Sequence, residues 1–457
     1  MRKIVLFSCI YFGFLYGARA QVNDSLIFKN IADDILLHGT AYSNLEYICK
    51  KIGPRLSGSS QQVKAEKETA RMLREMGADT VYLQKTKVPH WVRGEKETAS
   101  LVAGNGKKNP LRICALGNSI GTGTKGIKGK VVEVHSFDEL DALGEKGIKG
   151  RIVYFNVRFN PAHVATTQGY FETTQYRWTG ASKAARYGAV GTVIRSLSSS
   201  IDAYPHTGGM VYNDSFPKIP AVAISTRDGD LLSMELQKDN RAELYFRTTS
   251  ATLPDATGHN VVAELKGSEF PNEVITVGGH LDSWDLAEGA HDDGAGCVQS
   301  MELIRVFKKL GIQPKRTIRV VLFTDEENRG SGSNRYTEFA KAENKHHILA
   351  IESDAGGFTP RGFSLMTDTG KLARLRSWIP LFIPYSVYAF EIGSAGADVE
   401  SLRALGATVG ELMPDSQRYF DHHHAANDIF EEVNKRELEL GAINMANLIY
   451  MVDKYGL

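Results

Sequence analysis

Apolar residues recur at helical spacing through the first part of the chain. Residues 25–37 and 41–52 each carry such a stripe, the second ending at Gly53-Pro54. A third helix is expected over 61–76, opened by Ser57-Gly58-Ser59 and closed by Gly77, and Thr80-Val81-Tyr82-Leu83 then begins an extended segment. A helix feeding a strand in this way predicts the edge of an α/β sheet. From about 94 to 253 the pattern changes to glycines and short β-branched runs at 130–134, 151–156, 190–194 and 221–225, with one helix expected at 181–187. This predicts an inserted, mainly β unit. After Gly258 the α/β rhythm returns, with buried strands expected at 274–277, 317–323 and 347–351 and a final helix over 435–455.

Each of those three strands runs into polar residues. The first is closed by Gly278-Gly279, read as a permissive turn, and followed by His280 and Asp282; a loop then carries Asp292 and Asp293 into Gly294-Ala295-Gly296. Met301, Leu303, Ile304 and Phe307 continue from there at helical spacing. The second strand ends in Thr324-Asp325-Glu326-Glu327 and the third in Glu352-Ser353-Asp354, while His422-His423-His424 and Asp428 precede the last helix. Imidazoles and carboxylates on one rim of a buried sheet stand where open α/β sheets bind ligands.

Composition adds bounds rather than a function. A chain of 457 residues with 42% hydrophobic and 23% charged positions is ordinary globular material, sized for two packed units. With 54 basic and 53 acidic residues the net charge is +1, which gives no support to a nucleic-acid partner or a polybasic membrane surface. Residues 1–20 differ from the rest: Met1-Arg2-Lys3 is basic, 4–17 is almost wholly apolar, and Ala18-Arg19-Ala20 has the small-x-small pattern of a cleavage site. A secretory signal is expected there, cleaved after Ala20, leaving a secreted or periplasmic protein without stable membrane insertion. Cys49, Cys114 and Cys297 cannot all pair with one another and form no disulfide framework.

The donor set His280, Asp292, Glu327, Asp354 and His424 has one carboxylate too many for a single open zinc site and suits two metals sharing one carboxylate. Glu326, beside a ligand but pointing elsewhere, is free to take a proton from water. Asp282 is placed to orient the His280 ring. Each pattern alone has a plainer explanation: a Glu-Glu pair as a solvated helix start, a histidine run as exposed polar chain, Asp-Asp before glycine as a helix cap. Their joint position after strands of one sheet favours the metal reading, and no Gly-x-Ser-x-Gly elbow, P-loop or HExxH helix competes with it. Cys297 reads as a small apolar residue at a helix start, and His135, His163 and His206 as surface or hydrogen-bonded residues rather than ligands.

GGHLDSW, GAHDDGAG, DEEN followed by GS, ESDAGG and YFDHHHAAND, in that order, resemble the signature of the co-catalytic dizinc exopeptidase family of bacterial leucyl aminopeptidases and plasma glutamate carboxypeptidase. The likeness is greatest to its carboxypeptidase Q branch. The resemblance implies an α/β fold, a mixed central sheet with helices on both faces. It divides the chain into a signal (1–20), an N-terminal peptidase portion (21–93), a mainly β protease-associated-like insert (94–253) and the main peptidase portion (254–457). It also implies two Zn2+ per chain: His280 and Asp354 on one, Glu327 and His424 on the other, Asp292 as the bridge, Glu326 as general base, and a cis peptide at Asp292-Asp293. His424 is selected as the second of the family's histidine pair, four residues before Asp428, although His422 and Ile429 depart from the family's pattern. Short peptides and dipeptides are the implied substrates and a homodimer a further implication. Aminopeptidase action is the alternative, and a catalytically silent binding ectodomain is opposed by retention of every ligand position. Arg329, Glu391 and Asp398 are candidates for recognising a peptide terminus, which sequence does not place.

Overall fold

The three apolar runs that lead into the polar motifs are neighbours in space. In the computed structural model, which describes residues 23–102, 106–239 and 241–457, the strands Arg316–Phe323, Phe270–His280 and His346–Glu352 lie side by side and parallel. Val277 stands opposite Val320 on one side and Ile351 on the other. Burial on both faces explains why these strands read as continuous apolar runs. They form the middle of an eight-stranded mixed sheet ordered Thr80–Val92, Ala251–Leu265, Arg316–Phe323, Phe270–His280, His346–Glu352, Thr408–Pro414, Pro360–Met366 and Ala389–Ile392. Thr408–Pro414 runs parallel to His346–Glu352, so four adjacent strands direct their carboxyl ends to one rim.

Period-two alternation assigns each strand residue to a layer. Ile275, Val277, Ile318, Val320, Leu349 and Ile351 pack under helix 23–38 and helices Ala41–Tyr47, Ser60–Glu75, Ala295–Leu310 and Lys435–Tyr455. Val321, Phe323 and Ala350 face the other way, onto Tyr336 and Ala340 of helix Ser331–Ala342. Helices therefore cover both faces, as expected. No helix among the described residues is long and apolar enough to cross a membrane. The expected signal over 1–20 lies outside the described residues.

A second eight-stranded sheet draws all its strands from Thr98–Val102 to Glu243–Arg247 and has its own apolar cores. The stretch expected to be mainly β also carries three helices, Phe137–Ile148, Thr166–Arg186 and Thr226–Lys238. The helix expected at 181–187 is the end of Thr166–Arg186. Its earlier turns bury Gly169, Thr173, Arg177 and Gly180, so they present no apolar stripe. Small residues are required because Phe159 and Phe155 pack directly on the backbone at Gly169 and Gly180.

Gly278 and Gly279 form no turn; they lie inside the strand Phe270–His280. Each is glycine because the backbone is approached closely: a Cβ would stand 2.3 Å from the Val321 carbonyl oxygen at Gly278 and 2.2 Å from Asp293 Oδ2 at Gly279. Gly278→Ala should therefore lower unfolding stability by about 1–3 kcal/mol, the usual cost of overpacking. Urea denaturation of the metal-free protein checks it, and an unmoved midpoint would show that the sheet can give way there.

Candidate metal centre

The four parallel strands deliver their loops to one buried point. His280 ends its strand, with its backbone N–H donated to Asp293 Oδ2 at 3.0 Å. Its Nδ1 lies 3.0 Å from the Asp282 carbonyl, an acceptor that places the ring hydrogen on Nδ1. Nε2 is left facing Asp292 Oδ1 at 3.1 Å and Asp354 Oδ1 at 3.4 Å. From the other side, His424 Nε2 lies 3.2 Å from Asp292 Oδ2 and 3.0 Å from Glu327 Oε2. The two oxygens of one carboxylate are thus divided between two sets of donors. All five residues expected to meet do so.

Each acid keeps one oxygen unsatisfied: among the described residues Asp292 Oδ2, Glu327 Oε1 and Asp354 Oδ1 are buried without a hydrogen bond, an arrangement that is costly unless cations fill it. Imidazole nitrogens and carboxylate oxygens are the donors zinc accepts, so the residues fit a metal pair. His423 is also near, its Nε2 3.7 Å from Asp292 Oδ2 and its ring stacked on His424 at 3.6 Å. It makes no approach to Glu327 among the described contacts, whereas His424 reaches both acids.

Neighbours hold the loops in shape. The Asp292–Asp293 peptide is cis, as the resemblance implied. Asp428 accepts the N–H of His291 at 2.7 Å and of Asp292 at 3.1 Å, and Asp293 Oδ1 accepts the N–H of Gly296 at 2.8 Å. The helix-cap reading of Asp293 thus holds together with its tie to His280. Arg55, fully buried, donates to the carbonyls of Leu281, Glu288 and Gly289 and so fixes the loop between His280 and Asp292. After the strand Arg316–Phe323 the chain turns through Asp325 at φ 65, whose carboxylate is held by Ser57 and Ser331, and presents Glu326 and Glu327. The Cys297 thiol donates to the His280 carbonyl, and burial pushes its pKa well up, in keeping with a packing role.

One expected contact differs. The Asp282 carboxylate lies 3.8 Å from His280 Nδ1, and the ring is held instead by the Asp282 backbone carbonyl. Asp282 Oδ1 accepts the N–H of Glu326 at 3.2 Å. A residue two positions on can offer its own carbonyl to the ring, which frees its side chain for the adjacent strand end.

Charge in the centre is uneven. Burial raises the carboxyl pKa values of Asp354 and Glu327, and raises Glu326 well above the usual range with help from the Asp354 charge and against the pull of His280. Burial would also raise Asp292, but the His280 and His424 imidazoles beside it hold it well below. Burial opposes charge on the two imidazoles, yet carboxylates beside them raise both, Asp354 and Asp292 at His280, and Glu327 and Asp292 at His424, the latter to about 10. The cluster demands positive charge.

Residues 260–449 match Peptidase family M28. Carboxypeptidase Q of Mus musculus is 35% identical over 412 residues, which span 90% of this chain and 85% of the relative. The chain belongs to peptidase family M28. It is a metallo-exopeptidase. A Peptidase M28 precursor from Shewanella amazonensis, 31% identical, superposes with a TM-score of 0.90 over 94% of this chain and 96% of its own. The zinc aminopeptidase BSAP of Bacillus subtilis, at 19% identity and a TM-score of 0.63 over 91% and 95%, shares the fold.

In this M28 peptidase the centre opens into a cleft of about 900 Å³, lined by Asp292, Glu326, Glu327, Asp354 and His424 on one wall. Arg177, Trp178 and Phe171, from helix Thr166–Arg186, form another, and Glu391 and Glu411 also line it. Of the residues considered for a peptide terminus, only Glu391 is in the cleft. Arg329 is exposed and 3.7 Å from Asp255, and Asp398 is buried beside Glu352. Arg177, Arg55 and Asp293 were not legible as functional residues, because a lone arginine or a capping aspartate carries no motif. Asp428 was visible only as a spacing marker.

Removing the Asp428 carboxylate would leave two buried N–H groups without acceptors. Burial pushes its pKa up to about 7, so the contribution is read at about pH 8, where it is ionised. Asp428→Ala should cost about 2–4 kcal/mol in urea unfolding of the metal-free protein. A loss below about 0.5 kcal/mol, the range of neutral surface changes, would show that the loop holds itself.

Proposed function

We propose that the protein is a zinc-dependent exopeptidase that hydrolyses short peptides, dipeptides among them, with two Zn2+ per chain. The observation that carries this reading is the division of the Asp292 carboxylate between the His280–Asp354 and Glu327–His424 donor sets. Bound there, a metal pair would lower the pKa of water and polarise the scissile carbonyl. In this reading His280 and Asp354 would hold one ion and Glu327 and His424 the other, with Asp292 shared between them. Glu326 belongs to neither set, lies half-buried on the cleft wall, and is the base that takes the proton of the attacking water and passes it to the leaving amine. Asp282 positions it by accepting its backbone N–H.

Arg177 supports a carboxypeptidase or dipeptidase polarity. It is buried, its Nε has no hydrogen-bond partner, and no carboxylate pairs with it among the described residues; Nη2 donates to the Tyr170 hydroxyl at 2.8 Å, and Nη1 lies 3.4 Å from His424 Nδ1. A guanidinium with spare donors on the cleft wall suits the free carboxylate of a peptide. Glu391 and Glu411 could take a free amine, which favours dipeptides and is what an aminopeptidase reading would rest on. The accompanying division of the chain makes 94–253 an insert in a peptidase domain formed by 21–93 and 254–457, supported by the separate second sheet. Export follows from the signal-like residues 1–20.

Glu326→Gln should lower turnover by about 10²–10⁴-fold while metal analysis still finds two ions per chain; near-normal turnover would remove Glu326 from the mechanism. A dipeptide panel tests polarity. Free and N-acylated dipeptides should be cleaved, whereas C-terminal amides should lose about 10- to 100-fold in kcat/KM, the worth of a charge-assisted hydrogen bond. Arg177→Gln should abolish that discrimination. Equal cleavage of acids and amides by the wild type would exclude carboxylate recognition.

A further inference from the structure

The metal centre is held in part by residues from the segment that builds the second sheet. His206, Thr207, Gly208 and Gly209 lie in this segment, yet the first three reach the histidine loop more than two hundred positions on. His206 is 3% exposed, and its Nδ1 lies 2.7 Å from the His423 carbonyl. Among the described residues that acceptor is its one ring partner and Nε2 is buried without one, so the hydrogen sits on Nδ1 and is donated. Next to it, the Thr207 N–H donates to the His424 carbonyl at 2.9 Å. The Thr207 carbonyl lies 3.3 Å from His424 Nδ1, the nitrogen opposite the one that faces Glu327 and Asp292.

These bonds act on a strained residue. His424 has φ 62, a left-handed conformation that a non-glycine residue keeps only where its surroundings enforce it. The two carbonyls at 423 and 424 are both tied to the 206–207 backbone and ring, and the imidazole is oriented by a third contact from the same pair. Gly208, at φ 132, is what lets this loop approach: a Cβ there would stand 2.7 Å from His424 Nδ1 and 2.5 Å from Arg177 Nη1. At Gly209 it would be 3.0 Å from the Glu327 carbonyl oxygen. The loop thus touches both residues of one donor set. The loop is anchored in turn, with the His206 N–H donated to Ser196 Oγ at 2.9 Å and Thr207 Oγ1 to the Ala115 carbonyl at 2.8 Å.

We propose that residues 206–209 are the outer shell of the Glu327–His424 half of the centre and that His206 is its positioning residue, so the segment bearing the second sheet is a working part of the metal site. The inference rests on the two-zinc reading. The test uses full-length protein loaded with zinc, equilibrated against buffers of graded free zinc, with bound metal counted by mass spectrometry. Wild type should lose its ions in two steps. His206→Leu should weaken one step by about 10- to 100-fold and leave the other within about twofold, the scale of a lost outer-shell partner. His206→Asn, whose amide N–H reaches the same carbonyl, should restore the wild-type curve. Should His206→Leu not fold, His206→Gln, with its amide displaced by one bond, is read in the same way.

Two unchanged steps in the folded Leu or Gln variant, two steps weakened equally, or an Asn variant as weak as Leu would each overturn the proposal. Wild type holding fewer than two ions would overturn the two-zinc reading beneath it, a separate and recognisable outcome.

Discussion

The structure depends on a concentration of buried negative charge that its own side chains do not neutralise. Asp292, Glu327 and Asp354 each keep a buried oxygen without a hydrogen bond, with Glu326 beside them and Glu352 and Asp398 packed just behind. The imidazoles of His280 and His424 face the Asp292 carboxylate, and the acids around them, Asp354 with Asp292 at one and Glu327 with Asp292 at the other, drive both toward protonation. Burying such groups without compensation is expensive. Cations in place of those protons would relieve that cost, and Asp292 faces both donor sets.

The rest of the fold can be understood as the means of holding these carboxylates together. Parallel strands supply direction, since their carboxyl ends share one rim, and continuous apolar burial makes their register hard to slip. Loops then carry the donors a few residues beyond that rim, each pinned by a different device: Arg55 on the 281–289 carbonyls, Asp428 on the N–H groups of 291 and 292, Ser57 and Ser331 on Asp325. Helix Thr166–Arg186, from the segment of the second sheet, closes the far side of the cleft. Trp284 bridges that segment and the histidine loop, its ring against the Gly117 backbone on one side and 5.8 Å from His424 on the other.

Much of this was legible in the sequence where the signal is local. Apolar runs ending in His280, Glu327 and Asp354 identified three strands and their rim, and the order of motifs carried the five residues that meet there and the cis peptide. What failed depended on contacts distant in sequence. Gly278 and Gly279 read as a turn because their reason for being glycine is Val321 and Asp293, on other elements. Thr166–Arg186 lacked an apolar stripe because aromatic rings pack on its backbone, and the role of the Asp282 side chain changed once its own carbonyl was seen to hold the ring. Arg177 and His206 belong to a stretch with no motif; only folding brings them to the cleft and to the histidine loop.

The central claim is that Asp292 bridges two cations held by different pairs of residues. Crystals of the zinc-loaded protein, with anomalous diffraction measured on both sides of the zinc absorption edge, test it directly. Two peaks flanking Asp292 are expected, one in contact with His280 and Asp354, the other with Glu327 and His424. A single peak, or a second ion bound through His423 with His424 turned away, would contradict it.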